Sequence, residues 1–251
     1  MANVAILSDI HGVLPALEAV LEEPAVKQAD QLVLTGDIAA GPQPVETLDR
    51  LEALGDRVVW VRGNADRELV QAARGGATSI PDAIAGWAGQ QLRSDQVERL
   101  DKSAEQVTLD LEGFGKVRFC HATPRNDEEV VLVDSRLDRW TEVFQDLDDD
   151  IRTIVCGHTH MPFLRLAHGR LVVNPGSIGM PYGQPGAHWA LLGDRGAVTL
   201  RRTEYDYDAA CERIAKDSAY PQAAAWADEY VRARNSDADA IIAFGPRDGR
   251  T

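Results

Sequence analysis

VVWVRGNADREL, residues 58–69, runs a strand, a turn and the start of a helix together. β-Branched and aromatic residues fill Val58 to Val61, as in a buried strand. Gly63-Asn64 breaks that run, and a helical pattern follows over about residues 66–74. The same device occurs twice upstream. Val4-Ala5-Ile6-Leu7 reads as a strand, followed by a helix over 14–28 that is interrupted near Pro24. Leu32-Val33-Leu34 is the next strand, and a helix opening on a proline runs from Pro44 to Leu54. This β-α-β-α rhythm predicts a parallel sheet covered by helices. Residues 82–101 also read as helical, with Trp87, Leu92, Val97 and Leu100 as the buried stripe.

Further along, the pattern changes to hairpins: VTLDL-EGFG-KVRFC (107–120), FLRL-AHG-RLVV (163–173) and WALL-GDRG-AVTLRR (189–202). Antiparallel pairs following βαβ units predict a second, mixed sheet packed on the first. One helix at about 136–147 interrupts this part, and two more near 207–217 and 221–234 close it. Residues 1–234 are assigned to a single domain. The remainder, NSDADAIIAFGPRDGRT (235–251), is expected to be a loosely held tail.

The chain has 251 residues, enough to bury a sizeable core. Lys and Arg number 26 against 40 Asp and Glu, a formal net charge of −14. That balance opposes nonspecific binding to nucleic acid or anionic membranes, yet leaves room for a phosphoester held locally by metal ions. No apolar run approaches the ~18 residues of a membrane span. Met1-Ala2-Asn3 leads straight into a strand with no basic segment, so no secretory leader is expected. Three scattered cysteines, Cys120, Cys156 and Cys211, suit a reducing compartment, and a cytoplasmic location is expected. Nothing in the chain specifies an oligomeric state.

Each apolar run ends in a polar cluster on its C-terminal side. AILSDIHG carries Asp9 and His11, LVLTGDIAAG carries Asp37, and VWVRGNAD carries Asn64 and Asp66. VRFCHATPR carries His121, TIVCGHTH carries His158 and His160, and LVVNPGS carries Asn174. Ligands of open α/β sheets bind beyond the carboxyl ends of the strands, where these clusters fall. Four of the six histidines lie in the clusters, with His168 and His188 outside, a concentration that core packing does not explain.

Two carboxylates, an asparagine carbonyl and four imidazoles form an oxygen and nitrogen donor set with no thiolate. It suits Mn, Fe, Zn, Co or Ni better than Ca. Seven ligands exceed the needs of one tetrahedral ion. They fit two ions ~3.5–4 Å apart that share a bridging carboxylate, the arrangement used for in-line displacement at phosphorus. In Asp-x-His and His-x-His, residues two apart in an extended chain project to the same side. Gly36, Gly41, Gly63 and Gly157 allow the backbone to turn tightly around such ions.

Taken in order, the blocks DIH (9–11), GDIAAG (36–41), GNAD (63–66), His121 and GHTH (157–160) resemble the calcineurin-like metallophosphoesterase superfamily. HATPR (121–125) and NPGS (174–177) are most similar to its small prokaryotic phosphodiesterase branch. The resemblance spans roughly residues 3–200 and implies an α/β fold, a four-layer α-β-β-α sandwich with two mixed sheets. It further implies that Asp9, His11, Asp37 and His160 hold one divalent ion. Asp37, Asn64, His121 and His158 would hold the other, with Asp37 bridging and manganese heading the candidates. A metal-bridging hydroxide would attack phosphorus in line, and Asp66 would orient a histidine or the turn. The substrate would be a small phosphoester such as a nucleotide.

The departure is Ala65, which stands where the superfamily usually has a histidine that contacts the phosphate and protonates the leaving group. Alanine does neither. General-acid help is worth ~10²–10⁴-fold, so a bias toward phosphodiesters, or toward esters with acidic leaving groups, is expected. Arg125 or His188 is a candidate proton source, and Arg125 a candidate phosphate clamp. Arg62, just before the turn, is expected in a structural salt bridge, and Cys120 and Cys156 as buried thiols. Two rival readings share these residues. One is a metal-binding interaction scaffold without turnover, like the vacuolar-sorting subunit of retromer. The other is a protein phosphatase or dinucleoside-polyphosphate hydrolase, which normally keeps the missing histidine.

Overall fold

The computed structural model describes residues 3–79, 83–233 and 235–249. The first residue of the helix expected over 82–101, the last of that over 221–234, Met1, Ala2 and tail residues 250 and 251 lie outside them.

The first part of the chain alternates strands and helices as expected. β1 (Val4–Leu7) leads to α1 (Leu14–Glu22) and α2 (Pro24–Lys27), the break falling at Pro24. β2 (Gln31–Thr35), α3 (Pro44–Glu52), β3 (Val58–Val61) and α4 (Asn64–Ala73) follow. Where one helix was expected over 82–101 there are two, α5 (Ala83–Gln91) and α6 (Ser94–Lys102). The second starts at Arg93, whose N–H donates to the Gln96 side chain, a local cap that competes with continuing the helix.

β4 (Gln106–Leu111), β5 (Gly115–Cys120), α7 (Leu137–Val143), β6 (Ile151–Val155), β7 (Phe163–Ala167), β8 (Arg170–Asn174), β9 (Ala187–Leu192) and β10 (Val198–Thr203) come next. α8 (Tyr207–Asp217), α9 (Ala223–Ala227) with its π-helical extension Asp228–Arg232, and α10 (Asp237–Phe244) complete the order.

Two mixed five-stranded sheets form, β10-β9-β1-β2-β3 and β4-β5-β6-β8-β7. β1, β2 and β3 are parallel, with Ile6 opposite Val33 and Val33 opposite Val59. β5, β6 and β8 are parallel in the second sheet. The last hairpin does not extend that second sheet. β9 lies antiparallel to β1 instead, because both of its faces are apolar and need cover. Its Ala190 and Leu192 face the other sheet, while Ala187 and Trp189 join the helices.

The period-2 alternation of the strands builds the four layers. Val4, Ile6, Val33 and Val61 meet Val117, Phe119, Val155 and Val173 between the sheets. Ala5, Leu7, Leu32 and Leu34 point the other way, toward α1, α3, α4, α5, α8 and α9. On the far side of the second sheet, Cys120, Ile154, Phe163 and Val172 pack with Trp140 and Val143 of α7. Phe119 is fully buried, and truncating such a ring to alanine costs about 3–5 kcal/mol.

The expected loose tail is corrected by the structure. α10 places Ala240 (0% exposed) and Phe244 on the second sheet's outer core. Its start is closed by a capping box, Ser236 Oγ accepting from Asp239 N–H while the Asp239 carboxylate accepts from Ser236 N–H. Ala240, Ile241 and Phe244 recur at helical spacing, which an unstructured segment does not require. Among the described residues, no helix is long and apolar enough to cross a membrane.

Candidate metal centre

The carboxyl ends of β1, β2, β3, β5 and β6 deliver Asp9 and His11, Asp37, Asn64, His121, and His158 with His160 to one edge of the sandwich. The parallel strands of both sheets therefore share it. The backbone that aims these side chains is not extended, contrary to the expectation for Asp-x-His and His-x-His. Asp9 (φ 52°), His11 (48°), Asp37 (52°), His158 (66°) and His160 (55°) all occupy the left-handed region. Non-glycine residues adopt it at a cost, and such strain clusters at functional sites.

Hydrogen bonds hold the strained loops in place. The N–H groups of Asp9 and His11 donate to the carbonyls of Gly36 and Asp37, both at 3.0 Å. Asn174 braces the histidine loop, its amide donating to Gly157 O at 2.8 Å and Thr159 Oγ1 at 3.1 Å. Close approach explains two glycines. A Cβ on Gly63 would lie 2.2 Å from Asp37 Oδ1, and one on Gly157 2.0 Å from Ser8 Oγ.

Two triads emerge, Asp9 with His11 and His160, and Asp37 with His121 and His158, each with its donor atoms within 4.8 Å of one another. Asp37 Oδ2 lies 3.3 Å from His121 Nε2 and 3.8 Å from His11 Nε2, so one carboxylate oxygen faces both. Its other oxygen accepts from Ala65 N–H at 2.8 Å. Asp9 Oδ2 accepts from Ser8 Oγ (2.5 Å) and His158 N (3.1 Å), whereas buried Asp9 Oδ1 lies 3.3 Å from His160 Nε2 and accepts no well-formed hydrogen bond among the described residues.

The imidazoles are oriented as ligands need. Nδ1 of His11, His121 and His160 faces the carbonyls of Ala40 (3.2 Å), Thr35 (2.7 Å) and Met180 (2.9 Å). A proton on Nδ1 leaves the Nε2 lone pair pointing inward. Nε2 of His11 and Nε2 of His160 are then 3.2 Å apart, an approach a cation between them relieves. His158 presents Nδ1, 3.2 Å from His121 Nε2. Asn64 Oδ1 is 3.1 Å from His121 Nε2. The reversed amide would donate to His121 Nε2, His158 Nδ1 and the Asp127 carbonyl, so an inward oxygen is the orientation that answers a cation rather than a proton. Orphaned oxygen, converging lone pairs and a thiolate-free donor set all fit divalent cations.

Electrostatics follow from burial and crowding. Burial alone would lower His121, but the Asp37 carboxylate outweighs it and raises the ring to about 10. Burial, then the charge on His121, pushes His158 down to about 3. Burial disfavours the Asp37 anion, yet His121 and its neighbours hold the carboxyl below its ordinary range. Burial and the Asp37 charge raise Asp66 to about 7. Asp66 orients the turns rather than a histidine, accepting from Ile38 N–H at 2.8 Å and Gly63 N–H at 2.9 Å.

Arg125 pairs with the Glu129 carboxylate (2.8 Å) and the Glu142 carbonyl (3.1 Å), and lines a neighbouring pocket of about 200 Å³ beside His121. His188 is held by Gln184 O at 2.6 Å, and neither residue lines the central pocket. Arg62 pairs with Glu105 as expected, and Cys120 and Cys156 are buried and free.

A pocket of about 310 Å³ opens over the two triads. Ala65, Ile84, Trp226, Tyr230 and Phe244 give it apolar walls. Arg247, from the supposed tail, enters it with Nη2 3.4 Å from His158 Nε2. Sequence reasoning missed Arg247 and Phe244. For Phe244 the readable signal was the Ser236–Asp239 cap ahead of an apolar repeat.

The profile of the calcineurin-like phosphoesterase superfamily domain matches residues 2–193. The uncharacterised protein MJ0912 of Methanocaldococcus jannaschii is 27% identical over 242 residues, 85% of this chain and 92% of that protein. Phosphodiesterase YfcE of Escherichia coli is 27% identical over 201 residues, 76% of this chain and 88% of YfcE. A metallophosphoesterase structure from Sphaerobacter thermophilus superposes with a TM-score of 0.68 at 26% identity, covering 86% of this chain and 94% of that one.

Proposed function

The chain belongs to the calcineurin-like phosphoesterase superfamily, and from that premise we propose a two-metal hydrolase whose preferred substrates are phosphodiesters or monoesters with acidic leaving groups. The observation that carries the proposal is the shared carboxylate. Asp37 Oδ2 faces both triads, 3.3 Å from His121 Nε2 and 3.8 Å from His11 Nε2, while its Oδ1 is pinned by Ala65 N–H. Asp9, His11, Asp37 and His160 would hold one ion, and Asp37, Asn64, His121 and His158 the other. When bound, two divalent cations supply a nucleophilic water at neutral pH and offset charge building on the phosphoryl oxygens. Manganese heads the candidates, with iron, zinc, nickel and cobalt behind, since the donors are oxygen and nitrogen.

The chain's own groups do the rest. Carbonyls of Ala40, Thr35 and Met180 fix the imidazole tautomers, and Asp66 locks the Asp37 and Asn64 turns against each other. Ala65 brings no proton to the leaving group, which favours leaving groups that depart unassisted. The described cysteines are buried and free, in keeping with a cytoplasmic setting. The relative named a phosphodiesterase supports the diester preference.

Metal analysis of the purified chain, with a Mn²⁺-supplemented assay, tests the reading. About two ions per chain and faster turnover of bis-p-nitrophenyl phosphate than of p-nitrophenyl phosphate are expected. A metal-loaded protein inert toward every phosphoester would overturn it in favour of an interaction scaffold.

A further inference from the structure

Arginines near the metal edge are neutralised by carboxylates. Arg67 pairs with Asp127 (3.0 Å) and Glu128 (2.5 Å), and Arg125 and Arg139 each pair with Glu129 (2.8 Å). Arg247 differs. Among the described residues it meets no carboxylate; its Nη2 donates to the Glu128 carbonyl at 2.9 Å and sits 3.4 Å from His158 Nε2. An uncompensated guanidinium at the mouth of this centre, on a chain of net charge −14, is positioned for an anion.

Its placement is built rather than incidental. The next residue, Asp248, is 3% exposed and accepts from Ser135 Oγ at 2.5 Å. Upstream, Ala240 is buried and Gly183 N–H donates to Asn235 O at 2.9 Å. Between these anchors the Phe244 ring stands 5.9 Å from that of His158 and 6.4 Å from that of His160. The segment thus fastens at both ends and presents Phe244 and Arg247 to the pocket.

We propose that Arg247 binds substrate: its guanidinium grips a non-ester oxygen of the phosphoryl group, and the wall of Ile84, Trp226, Tyr230 and Phe244 takes an aromatic or otherwise apolar ester group. The inference rests on the phosphoesterase reading and names the substrate class for the same pocket. Donor logic supports it. A His158 ring ligating through Nδ1 would carry its proton on Nε2, which then could not accept from Arg247. The guanidinium would keep its Glu128 carbonyl contact and have its other N–H groups free for an anion in the pocket.

The test uses the full chain loaded with Mn²⁺, as wild type, Arg247→Lys, Arg247→Ala and Phe244→Ala. Metal content, the dissociation constant of inorganic phosphate by calorimetry, and kcat/KM for bis-p-nitrophenyl phosphate are measured. Arg247→Ala should keep its metal, weaken phosphate binding and lower kcat/KM by about 10- to 100-fold, with Arg247→Lys between. Phe244→Ala should erode the preference for bis-p-nitrophenyl over methyl p-nitrophenyl phosphate several-fold; an unchanged preference removes the apolar-ester half of the proposal. Loss of metal from Arg247→Ala would make the residue a support for His158 and overturn the rest. If wild type turns over diesters while Arg247→Ala matches it in both readouts, this inference fails and the phosphoesterase reading stands. If wild type is inert, yet phosphate binding still falls in Arg247→Ala, the anion grip stands and that reading fails.

Discussion

The metal cage and the C-terminal segment solve opposite problems at the same pocket. In the cage, Asp9, Asp66 and Asn174 are fully buried, five ligands sit in left-handed backbone, and nearly every polar atom is tied to a neighbouring loop. Arg247 is exposed, follows a short helix, and is placed by a few ties, at Asp248, Ala240 and the Glu128 carbonyl. Ligand atoms must meet at distances set to tenths of an ångström, so their surroundings have to over-determine them. A guanidinium gripping a phosphoryl oxygen tolerates more latitude and benefits from being able to move. Substitutions should therefore disturb folding and metal content in the cage, and leave both intact in the segment while changing substrate binding.

The largest effect is expected at Asp37. Asp37→Asn removes the oxygen that faces both triads and leaves an amide against His121. Even residues behind metal ligands cost 10–100-fold in affinity when changed, so this substitution should exceed ~100-fold at both positions and abolish turnover. Near-wild-type activity with two bound ions would show that Asp37 is no bridge. A pair of glycines probes the contrast more directly. Gly63→Ala drives a methyl against Asp37 Oδ1 and the Asp37 backbone, and should cost about 1–3 kcal/mol in thermal or denaturant unfolding along with metal occupancy. Gly245→Ala meets nothing within 4 Å at helical φ and ψ, and should be neutral or stabilise by ~0.4–1 kcal/mol. Equal penalties at the two glycines would erase the contrast.

Proton competition gives a smaller, graded effect confined to the cage. Asp37 overcomes burial and holds His121 at about 10, so without a cation this ring is charged through the neutral range. Ligation needs Nε2 free, and each ion entering that triad displaces a proton. Affinity for Mn²⁺ should rise by about tenfold per pH unit for one proton and level off near pH 10. The sign for stability is the reverse. Without metal, this ring's contribution is fully present below its ordinary 6.5 and is lost as pH climbs through 10. A pH-independent affinity would mean that the ring is neutral before metal arrives.

The same contrast explains what could be read before folding. Every cage ligand abuts an apolar strand, so Asp9, His11, Asp37, Asn64, His121, His158 and His160 stand out beside runs whose direction and shared edge follow from hydrophobic patterning. Strand pairing was harder. The 189–202 hairpin looks like its predecessors, and its return to β1 depends on apolar faces being covered from both sides, a long-range matter. Arg247 lies far in sequence from any ligand and owes its position to the Ser135–Asp248 tie, which no local pattern announces. Arg125 shows the converse limit. Its place four residues after His121 suggests a phosphate clamp, whereas the ion pair with Glu129 is a tertiary detail that the motif does not announce.

Ala65 lies between the two regions, belonging to the cage by backbone and to the pocket by side chain. Its N–H holds Asp37 Oδ1 while its methyl, 2% exposed, lines the space beneath Arg247 and Phe244. Ala65→His keeps the N–H, so both ions should remain, and adds an imidazole where the leaving group would sit. Proton donation of this kind is worth up to ~10²–10⁴-fold when well aligned. An imidazole set among apolar walls without partners to orient it should recover only the low end, several-fold in monoester over diester turnover. That ratio, measured with p-nitrophenyl phosphate and its bis ester at equal metal content, separates the two regions' roles. A rise assigns leaving-group chemistry to the position Ala65 vacates. An unchanged ratio with intact metal binding places the leaving group elsewhere, on the side of the pocket that the C-terminal segment walls.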